Sequence, residues 1–185
     1  MWMETAVIGG GCFWCVEAVL RELSGVTSIR PGYAGGHTAN PTYKEVCTGT
    51  TFHAEVVEVT FDPAILSYVD LLRIFLTIHD PTTPNRQGAD VGTQYRSVIM
   101  PASTEQENAA RGVLAEVEAA QIWPAPLSTT IEPLRVFYPA EPEHVDYFAR
   151  HPEAAYCQAV IAPKVRAFRK HAVGRVRADI SPNHA

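Results

Sequence analysis

Thr5-Ala6-Val7-Ile8-Gly9-Gly10-Gly11-Cys12-Phe13-Trp14-Cys15-Val16-Glu17-Ala18-Val19-Leu20 is the stretch on which the fold turns. Its first half is an apolar run broken by a glycine triplet, which predicts a short buried strand over residues 5–9. Past Cys12 the period changes. Val16, Val19, Leu20 and Leu23 stand at i, i+3, i+4 and i+7, the spacing of one helix face. Ser24-Gly25 ends that helix, with Gly25 where a C-cap glycine belongs.

Downstream, residues 26–29 read as a strand and residues 31–36 as a loop that continues through Asn40-Pro41. Residues 54–61 alternate as a strand with one wet face. Ser67 with Asp70 resembles a capping box opening a helix to about residue 79. The polar segment 80–92 is longer than a simple connection, a length at which loops are usually functional or disordered. Residues 96–100 form a strand, Ser103 and Gln106 cap a helix through about 120, and 128–131 form another strand. Helices follow over 143–150 and 163–173, then a flexible tail over 174–185. Strands and helices alternate without repeats or linkers, which predicts one α/β or α+β domain over residues 1–173.

Composition narrows the classes. The 185 residues suit one domain, and 46% hydrophobic content allows a sizeable core. With 15 Lys and Arg against 20 Asp and Glu, a net charge of −5 speaks against a nucleic-acid surface. No apolar run approaches the roughly 20 residues needed to span a bilayer. The N-terminus lacks the basic and apolar regions of a secretory signal, so the expected compartment is the cytosol. There, cysteines at 12, 15, 47 and 157 are thiols with chemistry rather than structural disulfides.

Cys12 follows the glycines at a helix N-terminus, where unpaired N–H groups and the helix dipole favour a thiolate. The glycines would also let a substrate approach the backbone. The blander reading is a small buried residue at a strand-to-helix turn, but the adjacent Phe13-Trp14 is a poor choice for packing alone. A phosphate loop is excluded, since Trp14 stands where a dinucleotide fingerprint needs its third glycine. Zinc would need a second close pair of ligands, and Cys47, Cys157, His37, His53 and His79 offer none. Cys12 and Cys15 can also form a redox dithiol, being one helical turn apart.

Several blocks then carry a resemblance. Gly11-Cys12-Phe13-Trp14 with Cys15-Val16-Glu17-Ala18, Gly32-Tyr33-Ala34-Gly35-Gly36, Asn40-Pro41-Thr42-Tyr43, and His53-Ala54-Glu55 occur in order. His79-Asp80-Pro81-Thr82-Thr83, the run from Gln87 to Ser97, and Tyr156-Cys157 before Ala162-Pro163-Lys164 follow. Together these resemble the peptide methionine sulfoxide reductase A family from about residue 5 to 170. The resemblance implies a two-layer, ferredoxin-like α/β sandwich with a mixed sheet, and a thiol-dependent oxidoreductase that repairs proteins after oxidative damage.

It also implies roles. Cys12 attacks the sulfur of methionine-S-sulfoxide, free or in oxidised proteins, and becomes a sulfenic acid. Glu55 is the acid, protonated through burial. Tyr33, Tyr95 and Asp90 bind the sulfoxide, while Phe13 and Trp14 receive its methyl group. Cys157 is the first choice to resolve the sulfenic acid as a disulfide, with Cys15 its close competitor and Cys47 a packing residue or backup. Thioredoxin, or dithiothreitol in vitro, restores the dithiol. No bound cofactor, metal, nucleic acid or membrane is implied, and a monomer is expected. Phe52, Ala89 and Val145 depart from the usual glycine, asparagine and glutamine. Two other readings stay open on the residues alone: a general Cys12/Cys15 thiol–disulfide oxidoreductase, and a non-catalytic zinc or protein-interaction module.

Overall fold

The structure, a computed structural model, describes residues 2–178. Strand β1 (Glu4–Gly10) enters helix α1 (Phe13–Leu20), and β2 (Val26–Ala34) returns through a short helix, α2 (Tyr43–Cys47), to β3 (Ala54–Phe61). Helix α3 (Tyr68–Ile78) leads to a hairpin of β4 (Arg86–Gln87) and β5 (Asp90–Val91), then to β6 (Ser97–Met100). Helix α4 (Thr104–Ala119), β7 (Thr130–Ile131), β8 (Phe137–Pro139), α5 (Tyr147–Arg150) and α6 (Ala162–His171) complete the chain.

The main sheet runs β7-β6-β1-β3-β2-β8, antiparallel except for the parallel β6–β7 pair. Its centre, β6-β1-β3-β2, has the strand order of two interlocked βαβ units, β1-α1-β2 and β3-α3-β6, which is the ferredoxin-like topology. The expected fold class is therefore present. Ala6, Ile8, Val57, Val59, Phe61 and Ile99 point to the helix-covered face, packed against Val16, Leu20, Leu72, Phe75 and Val113. Val7, Val56, Val98 and Met100 form a smaller apolar layer on the opposite face, under Leu134 and Phe137. Among the described residues no helix is long and apolar enough to cross a membrane.

Local chemistry explains most boundaries. Ser67 accepts the Asp70 N–H and Ser103 accepts the Gln106 N–H, so both expected N-caps form. The Asp70 carboxylate turns to Arg73 instead of closing a capping box. A complete box forms at α2, which sequence reading missed: Thr42 and Glu45 each satisfy the other's backbone.

Other expectations are corrected. Helix α1 ends at Leu20, short of Gly25, whose φ of 92° serves the turn into β2. The expected loop at residues 31–36 instead begins as strand, since β2 continues through Pro31 to Ala34. Proline is tolerated because the Pro31 carbonyl faces Ala140, beyond the end of β8, so its missing N–H leaves no β8 partner unpaired. At its first residues β3 is buried on both faces, with no wet side before Glu58. The helix expected over 143–150 is broken at Asp146, whose φ is 55°. Residues 174–178 are tied back: Ser24 N–H donates to the Arg175 carbonyl and Arg177 N–H to Glu22. The rest of the expected tail lies outside the described residues.

Phe52 occupies a backbone with φ of 58°, which explains why a glycine suits that place. Its ring is 56% exposed, so little packing offsets the strain. Phe52→Gly is expected to raise stability by up to about 1 kcal/mol, because relieving the left-handed strain outweighs the added chain entropy. Phe52→Ala keeps the strain and should not stabilise. Urea midpoints of the two variants separate strain from packing.

Candidate active site

Helix α1 starts against β3. Cys12 is its N-cap, with φ −58° and ψ 125°, and is 8% exposed. The Phe13 N–H, the first that a helix leaves unpaired, donates to Glu55 Oε2 at 3.0 Å. Glu55 is 1% exposed and points from β3 into the helix-covered layer. Burial pushes its carboxyl up to about 8, and the charges of Asp90 and Cys15 add to this against the Phe13 hydrogen bond. At neutral pH Glu55 is thus mostly a protonated acid beside Cys12.

The thiols do not behave as the helix dipole alone suggests. The Cys12 thiol lies well above its ordinary value, because it hydrogen-bonds Cys15, is buried, and faces Glu55. Cys15 is drawn down to about 7, chiefly by the hydrogen bond from Cys12 and then by Lys164 and Tyr156, against the effect of burial. The first helical N–H is spent on Glu55, so it cannot stabilise a Cys12 anion. The depressed thiol of the pair is Cys15.

The glycine triplet also lets neighbouring segments pack close. A Cβ on Gly10 would meet the His79 ring at 2.9 Å, and one on Gly11, at φ 93°, would meet Gln87 at 2.7 Å. These glycines let β1 pass under α3 and the 80–92 segment, which holds Asp90 at the site.

An aromatic wall stands around the cysteines. Phe13 is buried between Tyr33, at 5.7 Å between ring centres, and His144, at 5.4 Å. Trp14 lies flat on Tyr147 at 3.7 Å and 6°. Its indole N–H donates to His144 Nδ1 at 3.2 Å, which leaves the His144 proton on Nε2, facing Glu141 at 3.6 Å. Glu141 accepts the Tyr33 hydroxyl and the Tyr43 N–H, both at 3.1 Å. Buried Glu17 accepts the Asp146 N–H at 3.1 Å and pairs with Arg21, fixing the turn that presents Tyr147.

Glu17, Tyr43, Glu141, His144 and Tyr147 were not singled out as site residues from the sequence. Their signals were the quoted Glu17 and Tyr43 blocks and the acidic–aromatic run Glu141-Pro142-Glu143-His144. Among the described residues Glu141, Glu143 and His144 offer ligand atoms within 4.8 Å of one another. The His144 Nδ1 lone pair is already taken by Trp14, which leaves this trio poorly suited to a cation.

The expected residues converge unevenly. Cys12, Cys15, Glu55, Phe13, Trp14 and Tyr33 meet at the start of α1. Tyr95 is held up by burial, then by Glu55, Cys47, Asp90 and Cys12, so it faces the same centre. Asp90 accepts the Tyr156 hydroxyl at 2.8 Å, and that oxygen lies 3.6 Å from Cys15 Sγ. Cys157 is fully buried in a π-helical turn (Cys157–Ile161), where its thiol is raised by burial and then by Cys15. Cys47 is exposed at the end of α2, hydrogen-bonding Tyr43. Ala89 is exposed beside Gly88 at the tip of the β4–β5 hairpin.

The sequence profile of the family described as peptide methionine sulfoxide reductase matches residues 4–176. The chain belongs to that family. Peptide methionine sulfoxide reductases are oxidoreductases, and relatives of that name match over nearly the whole chain. One from Granulibacter bethesdensis is 95% identical over the full length of both chains. Another from Halobacterium salinarum is 52% identical over 92% of this chain and 96% of its own. Among solved structures, reduced Mxr1 from Saccharomyces cerevisiae aligns with a TM-score of 0.79 at 33% identity, covering 84% of this chain and 89% of its own. Mxr1 is also known in complex with Trx2, where the likeness is 24% identity and carries the fold alone.

Proposed function

We propose that the chain reduces methionine-S-sulfoxide, free or in oxidised proteins, to methionine, with Cys12 as nucleophile and Glu55 as acid. The observation that carries this reading is the buried Glu55 carboxyl, pushed up by burial and fixed against the first N–H of the helix that begins at Cys12. A thiol–disulfide exchanger has no need of such an acid; a sulfoxide oxygen does. Phe13 and Trp14 receive the S-methyl group, while Tyr33, Tyr95 and Asp90 bind the polar end.

In the first step Cys12 gives up its thiol proton to solvent and its sulfur attacks the sulfoxide sulfur, while Glu55 protonates the oxygen. The S–O bond then breaks, methionine leaves, and Cys12 carries the oxygen as a sulfenic acid. Cys15 resolves it first, because it stands one helical turn from Cys12 at the start of α1. Cys157, which sequence reading preferred, stands behind Cys15 as the next thiol in line. A thioredoxin returns both electrons to the disulfide. Residues 1–173 form the one catalytic domain, working in the reducing cytosol.

Turnover of each sulfoxide epimer of N-acetylmethionine with dithiothreitol tests the reading. Methionine should form from the S epimer only, and no product from either epimer by reduced protein would overturn it. In a single turnover without reductant, Cys15→Ser should leave about one-tenth or less of the intramolecular disulfide, since the pre-positioned partner is gone. Cys157→Ser should still form it. The opposite pattern would return the resolving role to Cys157.

A further inference from the structure

Tyr156 was singled out only as the neighbour of Cys157, yet its hydroxyl sits inside the thiol site. The oxygen is 2.8 Å from Asp90 Oδ2 and 3.6 Å from Cys15 Sγ, while the ring stands edge-on to Trp14 at 6.0 Å. A phenol has one proton and can also accept one. With its proton given to Asp90, the Tyr156 oxygen is left as an acceptor facing the Cys15 thiol. Cys15, Tyr156 and Asp90 thus form a directed chain that leads away from Cys12.

We propose that Tyr156 is a positioning residue for the resolution step, holding Cys15 towards Cys12 and carrying the Cys15 proton to Asp90. This rests on the reductase reading above and extends it to the residue that acts after methionine has left. In that step Cys15 S–H gives its proton to Tyr156 Oη as Tyr156 gives its own to Asp90. The Cys15 sulfur forms a bond to Cys12 Sγ, the Cys12 S–O bond breaks, and hydroxide departs. The proton held on Asp90 returns to that hydroxide through solvent, so the products are one disulfide and one water. The oxidant is the sulfenic acid that the first step supplies. Cys12 and Cys157 also face Cys15, as do the charges of Lys164 and Asp90, and Glu55 lies on the Cys12 side. Of these, Tyr156 alone is both a neutral donor and an acceptor bonded to Cys15 and Asp90 together.

Tyr156→Phe removes the oxygen and keeps the ring against Trp14. Reduced wild type and variant are mixed with N-acetylmethionine-S-sulfoxide without reductant, and methionine, dimedone-trapped sulfenic acid and mapped disulfide are followed in time. The variant should release its first methionine within about twofold of the wild-type rate. Its Cys12–Cys15 disulfide should form at least about tenfold more slowly, with sulfenic acid accumulating. Carbon-13 titration of labelled cysteine should shift the Cys15 midpoint in the variant, a change that looser packing alone does not dictate. Wild-type disulfide kinetics or an unmoved Cys15 midpoint in Tyr156→Phe would overturn the proposal. So would loss of the first methionine, which would place Tyr156 in the earlier step. Absence of methionine from the wild type as well would instead sink the reductase reading, so the two failures are distinguishable.

Discussion

Cys12→Ser should lose more than about 1,000-fold in methionine formation, with either dithiothreitol or thioredoxin as reductant, because nothing else at the site can carry the oxygen. Serine keeps the size and the N-cap position but is a far weaker nucleophile towards sulfur. The helix should therefore persist while the chemistry stops. Cys15 is the nearest thiol and the more acidic one, so it is the natural candidate for rescue. It lies a helical turn deeper, however, bonded to Tyr156, while Glu55 is fixed at the Phe13 N–H next to Cys12. Circular dichroism of the variant, together with a single-turnover methionine assay, tests this. Residual turnover above about one per cent would mean that Cys15 can act as the nucleophile.

Glu55→Gln should lower turnover by roughly 100-fold to 10,000-fold, the usual worth of a positioned acid. Glutamine can still accept the Phe13 N–H but cannot release a proton to the sulfoxide oxygen. Wild-type activity should fall as pH rises through about 8, where Glu55 ionises, and the variant should lack that limb. Stability moves the other way. The folded carboxyl has a raised pKa, so the folded state binds the proton more tightly than the unfolded chain does. The associated stability is fully present below the unfolded value near 4.5 and is lost as pH rises through about 8. Glu55→Gln should therefore gain on wild type across that window and hold its advantage above it, by up to roughly 5 kcal/mol. Urea denaturation at pH 5 and pH 9 measures the difference.

Much of this arrangement was legible in one dimension. The glycine break and the change of period place Cys12 at a helix start, and the alternation of β3 places Glu55 on a strand. The caps at Ser67 and Ser103 follow from side chains that bond their own backbone three residues on, and such local bonds are visible in sequence. Elements that depend on distant partners were not. Strand β2 runs through Pro31 only because β8 stops short of it, and the turn at Asp146 exists because Glu17 accepts its N–H.

Most of the order of strand and helix follows from periodicity in the sequence itself, and the family and the ferredoxin-like class follow from the resemblance that its motif blocks carry. The tertiary structure alone decided which groups meet. It gave the first helical N–H to Glu55, 42 residues away, rather than to Cys12. It brought Tyr156 to Cys15 across 141 residues and His144 to Trp14 across 130. The reason is physical: a hydrophobic period reports which face of an element is buried. The burial and hydrogen bonds that set a proton's place belong to whatever the fold lays against that face.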